Sequence, residues 1–165
     1  MKYYIRQKVF SFGDKFTIKN EQGQDMYWVQ GKVFSIGNKL KIYDNSDREI
    51  VYIEQALFKF LPEYNIYYGD NMIGKVKKQF TFFSKKFDIW SSLGDYSLEG
   101  DFFAHDFDII KHGVGSIATI TKGWFTFGDC YEIDVAEGEN HPFILSLVIV
   151  IDQVLHEDRG NHNNS

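Results

Sequence analysis

The segment Phe143-Ile144-Leu145-Ser146-Leu147-Val148-Ile149-Val150-Ile151 is the most continuously apolar stretch of this chain. A segment apolar on nearly every side must be enclosed on nearly every side. Apolar residues at 143, 144, 147, 148, 151, 154 and 155 form a helical stripe that outlasts the fully apolar part. Asn140 suits the N-cap of such a helix and Pro142 its first turn. Glu137 and Glu139 would complement its N-terminus, and Arg159-Gly160 would end it. The run Val148-Ile149-Val150-Ile151 is β-branched and would also suit a buried strand. Length and period favour a helix over about residues 141–157. The apolar part is about half of the roughly 20 residues needed to cross a bilayer, so the expectation is a core element, not an anchor.

The residues before 139 read as strands and short turns. Lys2–Val9, Lys15–Lys19 and Met26–Val33 alternate between polar and apolar, and turn residues separate them at Gly13-Asp14, Asn20–Gly23 and Gly37-Asn38. Period-two alternation of this kind predicts half-buried antiparallel strands. From residue 39 a hairpin repeats. Its first strands carry Ile42, Ile66, Ile89 and Ile109, 20 to 24 residues apart. These units are too short for four-stranded propeller blades, so a meander of hairpins fits better. Asp129–Val135 is a last alternating strand, and the total is about twelve. Connected antiparallel strands in that number close to remove their edges. A barrel that wide exceeds what its own side chains fill, and one apolar helix about 10 Å across is a sensible plug. The expected fold is all-β with one helix: a closed antiparallel barrel of about twelve strands around a central C-terminal hydrophobic helix. One domain, 1–159, is expected, with 160–165 as a disordered tail that has nothing to bury.

Hydrophobic residues make up 44% of the chain, enough for such a core, and the net charge of −5 disfavours a general nucleic-acid binder. Cys130 is the single cysteine, which excludes an internal disulfide framework and suits a reducing compartment. The charged, alternating start Met1–Lys8 lacks the apolar run of a signal peptide. A cytoplasmic protein, peripheral at the membrane at most, is therefore expected.

The start Tyr3-Tyr4-Ile5-Arg6-Gln7-Lys8, the Gly23 turn into a Trp28-bearing strand, the repeated hairpins and the closing Phe143–Ile151 segment carry a resemblance. Together they resemble the LURP-one-related family, grouped with tubby C-terminal and phospholipid scramblase-like domains, and within it an uncharacterised bacillar member. The resemblance spans essentially the whole chain. It implies a twelve-stranded barrel around a central hydrophobic helix; for function it implies little, since tubby domains bind phosphoinositides and scramblases act at membranes but LURP-one-related members have no established activity. The cysteine-rich lipidated segment and transmembrane C-terminus of scramblase-like proteins have no counterpart here, and no lipid-binding position of tubby domains carries over.

The strongest cationic feature is Lys75, Lys77 and Lys78 followed by Lys85 and Lys86, with Phe80, Phe82 and Phe83 between them. On a strand, Lys75 and Lys77 share a face and Lys78 takes the other. These five lysines are the candidate ligand-binding residues, for a phosphate or an anionic lipid. A solvated hairpin whose phenylalanines point inward is the plainer reading. His105, Asp106, Asp108 and His112 lack the ligand count and spacing of a metal site and are expected on an exposed hairpin. Asp44–Glu49 is read as a hairpin turn, since it lacks the length and pivot glycine of a calcium loop. Cys130, with His105, His112 or His141 as a base, makes a poor nucleophile beside Asp129. His141 is expected where the chain turns into the helix. With no catalytic constellation, cofactor or metal indicated, the chain is expected to be a non-enzymatic module. It would bind anionic lipid headgroups or another anionic ligand at the membrane surface. The alternative is a protein-interaction or scaffold protein without a small-molecule ligand.

The plug makes one demand that can be tested directly. Leu147→Asp would bury an unpaired charge inside the barrel and should abolish soluble folding. A soluble variant with native circular dichroism would overturn the central-helix arrangement.

Overall fold

In the computed structural model, residues 1–6, 15–32, 37–79, 86–101, 104–125 and 128–162 are described. They form twelve strands and one helix: β1 (Lys2–Arg6), β2 (Lys15–Asn20), β3 (Asp25–Gly31), β4 (Lys39–Asp44), β5 (Glu49–Gln55), β6 (Glu63–Tyr68), β7 (Asn71–Gln79), β8 (Lys86–Ser91), β9 (Tyr96–Asp101), β10 (Asp106–Lys111), β11 (Gly115–Phe125), β12 (Gly128–Val135) and α1 (His141–His162). Each strand pairs antiparallel with its neighbours in sequence, and β1 pairs with β12 to close the barrel. Closure leaves no free edge. The helix continues through Gly160 to His162, past the stop expected at Arg159-Gly160.

Alternation does the sorting. Tyr3 and Ile5, Phe16 and Ile18, Ile42, Val51 and Ile53, Ile66, Ile109, and Ile133 all point inward and are buried. Three of the four repeat isoleucines, Ile42, Ile66 and Ile109, are wholly buried, and the pairing register shifts just after each of them. A bulge at that place bends the strand and increases its twist, which helps a hairpin meander curve shut. The hairpin repeat is thus a repeat of curvature as well as of hydrophobicity.

The barrel is filled by α1. Every residue from Phe143 to Leu155 is buried, including Ser146, Asp152 and Gln153. Each large apolar side chain enclosed this way contributes on the order of 1.5–3 kcal/mol. Asn140 caps the helix as expected: its side-chain oxygen accepts the Phe143 amide at 3.1 Å and the Tyr68 hydroxyl. His141 accepts or donates at Nδ1 with the Tyr3 hydroxyl at 2.8 Å, tying the start of α1 to β1. Glu139 binds Lys111 at 2.8 Å instead of serving only the helix terminus.

The helix begins where β12 ends, beside the short turns 21–24, 45–48, 69–70, 92–95 and 112–114. We call this the turn end. It runs back through the barrel toward the opposite, loop end, where β1 gives way to β2, β3 to β4, β5 to β6, β7 to β8, β9 to β10 and β11 to β12.

Wall and plug pack closely at Gly74 on β7. A Cβ built there would lie 2.7 Å from Phe143 Cε2, at the first turn of α1. Gly74→Ala should cost about 1–3 kcal/mol by overpacking. In a Phe143→Leu background that cost should shrink to about half or less, because the obstructing ring is gone. Denaturant titration of the four proteins reads the coupling; equal costs in both backgrounds would place the wall elsewhere.

Candidate functional site

Because α1 occupies the interior, binding surfaces lie on the outer wall or at the ends. A cation-lined groove sits on the outside of β1 and β2. With Tyr3 and Ile5 inward, Tyr4 and Arg6 face out; with Phe16 and Ile18 inward, Lys15, Thr17 and Lys19 face out. The β1–β2 ladder stops at Ile5↔Ile18, before Arg6 and Lys15 are reached. The wall therefore opens toward the loop end into a groove of about 490 Å³ lined by Tyr4, Arg6, Lys15, Phe16, Thr17, Lys19 and Cys130.

Lys15 places its ammonium 3.7 Å from the centre of the Trp28 ring, which in turn stacks on Tyr43 at 3.9 Å. Lys19 is paired with Asp25. Arg6 and Lys15 are exposed and have no carboxylate partner among the described residues. At the groove margin Glu132 accepts from the Tyr4 hydroxyl at 2.7 Å and Lys2 at 2.8 Å. Burial, then the Glu132 carboxylate, pushes the Tyr4 hydroxyl well above the usual tyrosine range. Burial alone would raise Glu132, but the Lys2 and Tyr4 hydrogen bonds outweigh it and hold the carboxyl below its ordinary range.

The lysines expected to bind ligand are arranged differently. Lys75 and Lys77 face outward on β7, as alternation required, and both contact one nearly buried carboxylate, Glu63, at 3.3 and 3.7 Å. With Met72, Asp88 and Trp90 they line a second groove, of about 430 Å³. Two carboxylates among these residues offset the two ammonium groups. Lys78 takes the opposite face, half-buried, and its amide donates to Pro62 O at 3.0 Å. Lys86 begins β8 opposite Gln79, whereas Lys85 lies outside the described residues, as do Phe80, Phe82 and Phe83. The structure thus brings Lys75 and Lys77 together and balances them.

His105 departs from the expected exposed hairpin. It is buried, in a left-handed conformation at φ 54°, and packs with its ring 5.1 Å from that of Tyr131. Its Nδ1 lies 3.7 Å from Asp152 on α1, which accepts the Tyr131 hydroxyl at 2.9 Å. The space between these groups, about 10 Å³, is too small for a ligand and ties helix to wall. Asp106 is exposed, Asp108 accepts from Thr119 at 2.6 Å, and His112 stands in a turn at the other end. Asp44 closes its turn by accepting the amides of Ser46 and Arg48 at 2.9 and 3.1 Å. Cys130 is fully buried, on the alternate face from Tyr131 and hence from His105.

Residues 1–152 match the model of the LURP-one-related family. The chain is 34% identical over 155 residues to an uncharacterised protein of Bacillus subtilis, YxjI, with 94% of each chain covered. Its fold is similar to that of an Arabidopsis thaliana protein solved by X-ray crystallography. The TM-score is 0.70 at 18% identity, over 93% of this chain and 90% of that one. Among the described residues no helix is long and apolar enough to cross a membrane.

The Glu132 contacts carry a pH signature. A carboxyl whose pKa is depressed on folding adds stability above its unfolded range, and that stability fades as pH falls through the folded value. Glu132→Gln should cost about 1 kcal/mol near neutrality. It should also flatten the fall in unfolding midpoint between about pH 5 and pH 3. Identical pH profiles for parent and variant would show that these hydrogen bonds do not form in solution.

Proposed function

This chain belongs to the LURP-one-related family, and on that premise we propose that it is a non-enzymatic binding module for a phosphate-bearing anion, with lipid headgroups as the natural class. Fold and family fit a binding module in general. The observation that supports the finer reading is the pair Arg6 and Lys15, two exposed cations at the mouth of the β1–β2 groove with no carboxylate partner among the described residues. Guanidinium and ammonium groups side by side suit a phosphate, the first as a bidentate donor and the second as a point charge. Tyr4, Phe16 and Thr17 supply the apolar and hydroxyl surface beside it. The β7–β8 lysines are the weaker candidate, since Glu63 already occupies them.

Nuclear magnetic resonance titration with inorganic phosphate and with glycerophosphoglycerol tests the assignment. Amide shifts should concentrate on β1 and β2. Arg6→Glu/Lys15→Glu should weaken binding by more than about tenfold, which corresponds to about 1.4 kcal/mol. Lys75→Gln/Lys77→Gln should leave it nearly unchanged. Shifts centred on β7 and β8, or a charge-reversed variant that binds like the parent, would refute the groove as the site.

A further inference from the structure

The two ends of the barrel differ in chemistry. Counting the five turns and the β12–α1 connection at the turn end with the residues that bound them, nine carboxylates face Arg48 and Lys111. At the loop end, counted the same way, the described residues of the arc from β1 to β7 present Arg6, Lys15, Lys32, Lys39 and Lys59. Its one carboxylate among the described residues, Glu63, is bonded to Lys75 and Lys77, and Glu54, one residue inside β5, to Lys39. Asp101 and Asp106 make only the β9–β10 arc acidic. Among the described residues, this side of the loop end therefore carries an excess of positive charge on a chain whose net charge is −5.

The same arc carries an apolar projection. In the β5–β6 connection Phe58 is 102% and Phe60 95% exposed, with Leu57 at 42% and Lys59 between the rings. The base of this loop is pinned: Ala56 N–H donates to Glu63 O at 2.8 Å, Lys78 N–H to Pro62 O at 3.0 Å, and Gln55 N–H to Asn38 O at 2.8 Å. Leu57 lies against Gly37, where an added Cβ would sit 2.7 Å from Leu57 Cδ2. Phe58 itself holds φ 58°, a conformation that L-residues adopt at a cost. Two phenylalanines presented to water on a pinned loop require a covering phase.

We infer that the β1–β7 side of the loop end is a bilayer-insertion surface. Phe58 and Phe60 enter the headgroup–acyl boundary of an anionic membrane while Lys59 and the surrounding cations contact its phosphates. The acidic turn end points away from the bilayer. The occupant is a lipid surface because cations ring the apolar tip on its own arc, a pattern that complements anionic headgroups around a hydrocarbon interior. The inference rests on the reading above for its headgroup chemistry, and the β1–β2 groove opens toward this same end.

The test uses the full chain and vesicles of phosphatidylcholine with or without phosphatidylglycerol. The parent should float with the anionic vesicles only. Phe58→Ser/Phe60→Ser, which removes no buried contact, should keep the parent's unfolding midpoint and phosphate binding. Its partitioning should fall by about a hundredfold, tenfold for each ring. The fluorescence of a Phe58→Trp variant should be quenched by brominated acyl chains beyond the quenching of the native tryptophans. Unchanged flotation of the serine variant, no added quenching in the Phe58→Trp variant, or no vesicle binding by the parent would overturn the inference and leave the phosphate groove standing. So would self-association that the serine pair abolishes without lipid, which assigns the loop to a second copy. Vesicle binding that needs Phe58 and Phe60 but ignores Arg6→Glu/Lys15→Glu would instead retain the insertion surface and refute the groove.

Discussion

Enclosure of an apolar helix is the constraint on which the rest of the structure depends. From Phe143 to Leu155 no position of α1 reaches solvent, so the wall must supply an apolar partner in every direction. Each strand does so by turning alternate residues inward, and the bulges after Ile18, Ile42, Ile66 and Ile109 help the wall curve around its contents. At β7, Gly74 leaves room for the Phe143 ring that a side chain would fill. Of the buried polar residues of α1, Asp152 accepts the Tyr131 hydroxyl of the wall and Ser146 donates back to Phe143 O of its own helix.

Filling the interior moves recognition outward. A barrel of this width without a plug would offer a lumen; with α1 in place, the accessible chemistry is what the outward half of each alternation displays. That half is mostly balanced. Lys2 meets Glu132, Lys39 meets Glu54, Lys41 meets Glu49, and Lys75 and Lys77 share Glu63. Exposed pairs of this kind contribute little stability, but they cancel charge locally. Among the described residues, Arg6 and Lys15 stand without a carboxylate partner, which distinguishes the β1–β2 groove from the paired lysines of the wall. Its position, where a ladder ends early near the loop end, joins it to the apolar β5–β6 loop on the same arc.

The fold was largely legible because its signals are local and repeated. Alternation in Lys15–Lys19 or Lys41–Tyr43 marks a strand whatever surrounds it. Asn140 and Pro142 mark the start of a helix for the same reason. The site was much less so. The cluster of Lys75, Lys77 and Lys78 reads as a cationic patch along the chain, yet Glu63, 12 residues before Lys75, neutralises its outward members across the β6–β7 ladder. His105 reads as part of an exposed hairpin, yet it is buried against Asp152, from a helix that begins 36 residues further along the chain and is another kind of element. Arg6 and Lys15 raise no signal at all, being single basic residues on alternating strands.

The sequence by itself determined the strands, the turns, the buried helix and the family, because periodicity and a continuous apolar run act through the nearest neighbours of each residue. Only the tertiary structure decided which charges remain uncompensated and which phenylalanines stay in water. Those properties depend on partners brought across the barrel by register and closure. Two lysines two residues apart were cancelled by one carboxylate, while an arginine and a lysine at the ends of separating strands were left without a carboxylate partner among the described residues.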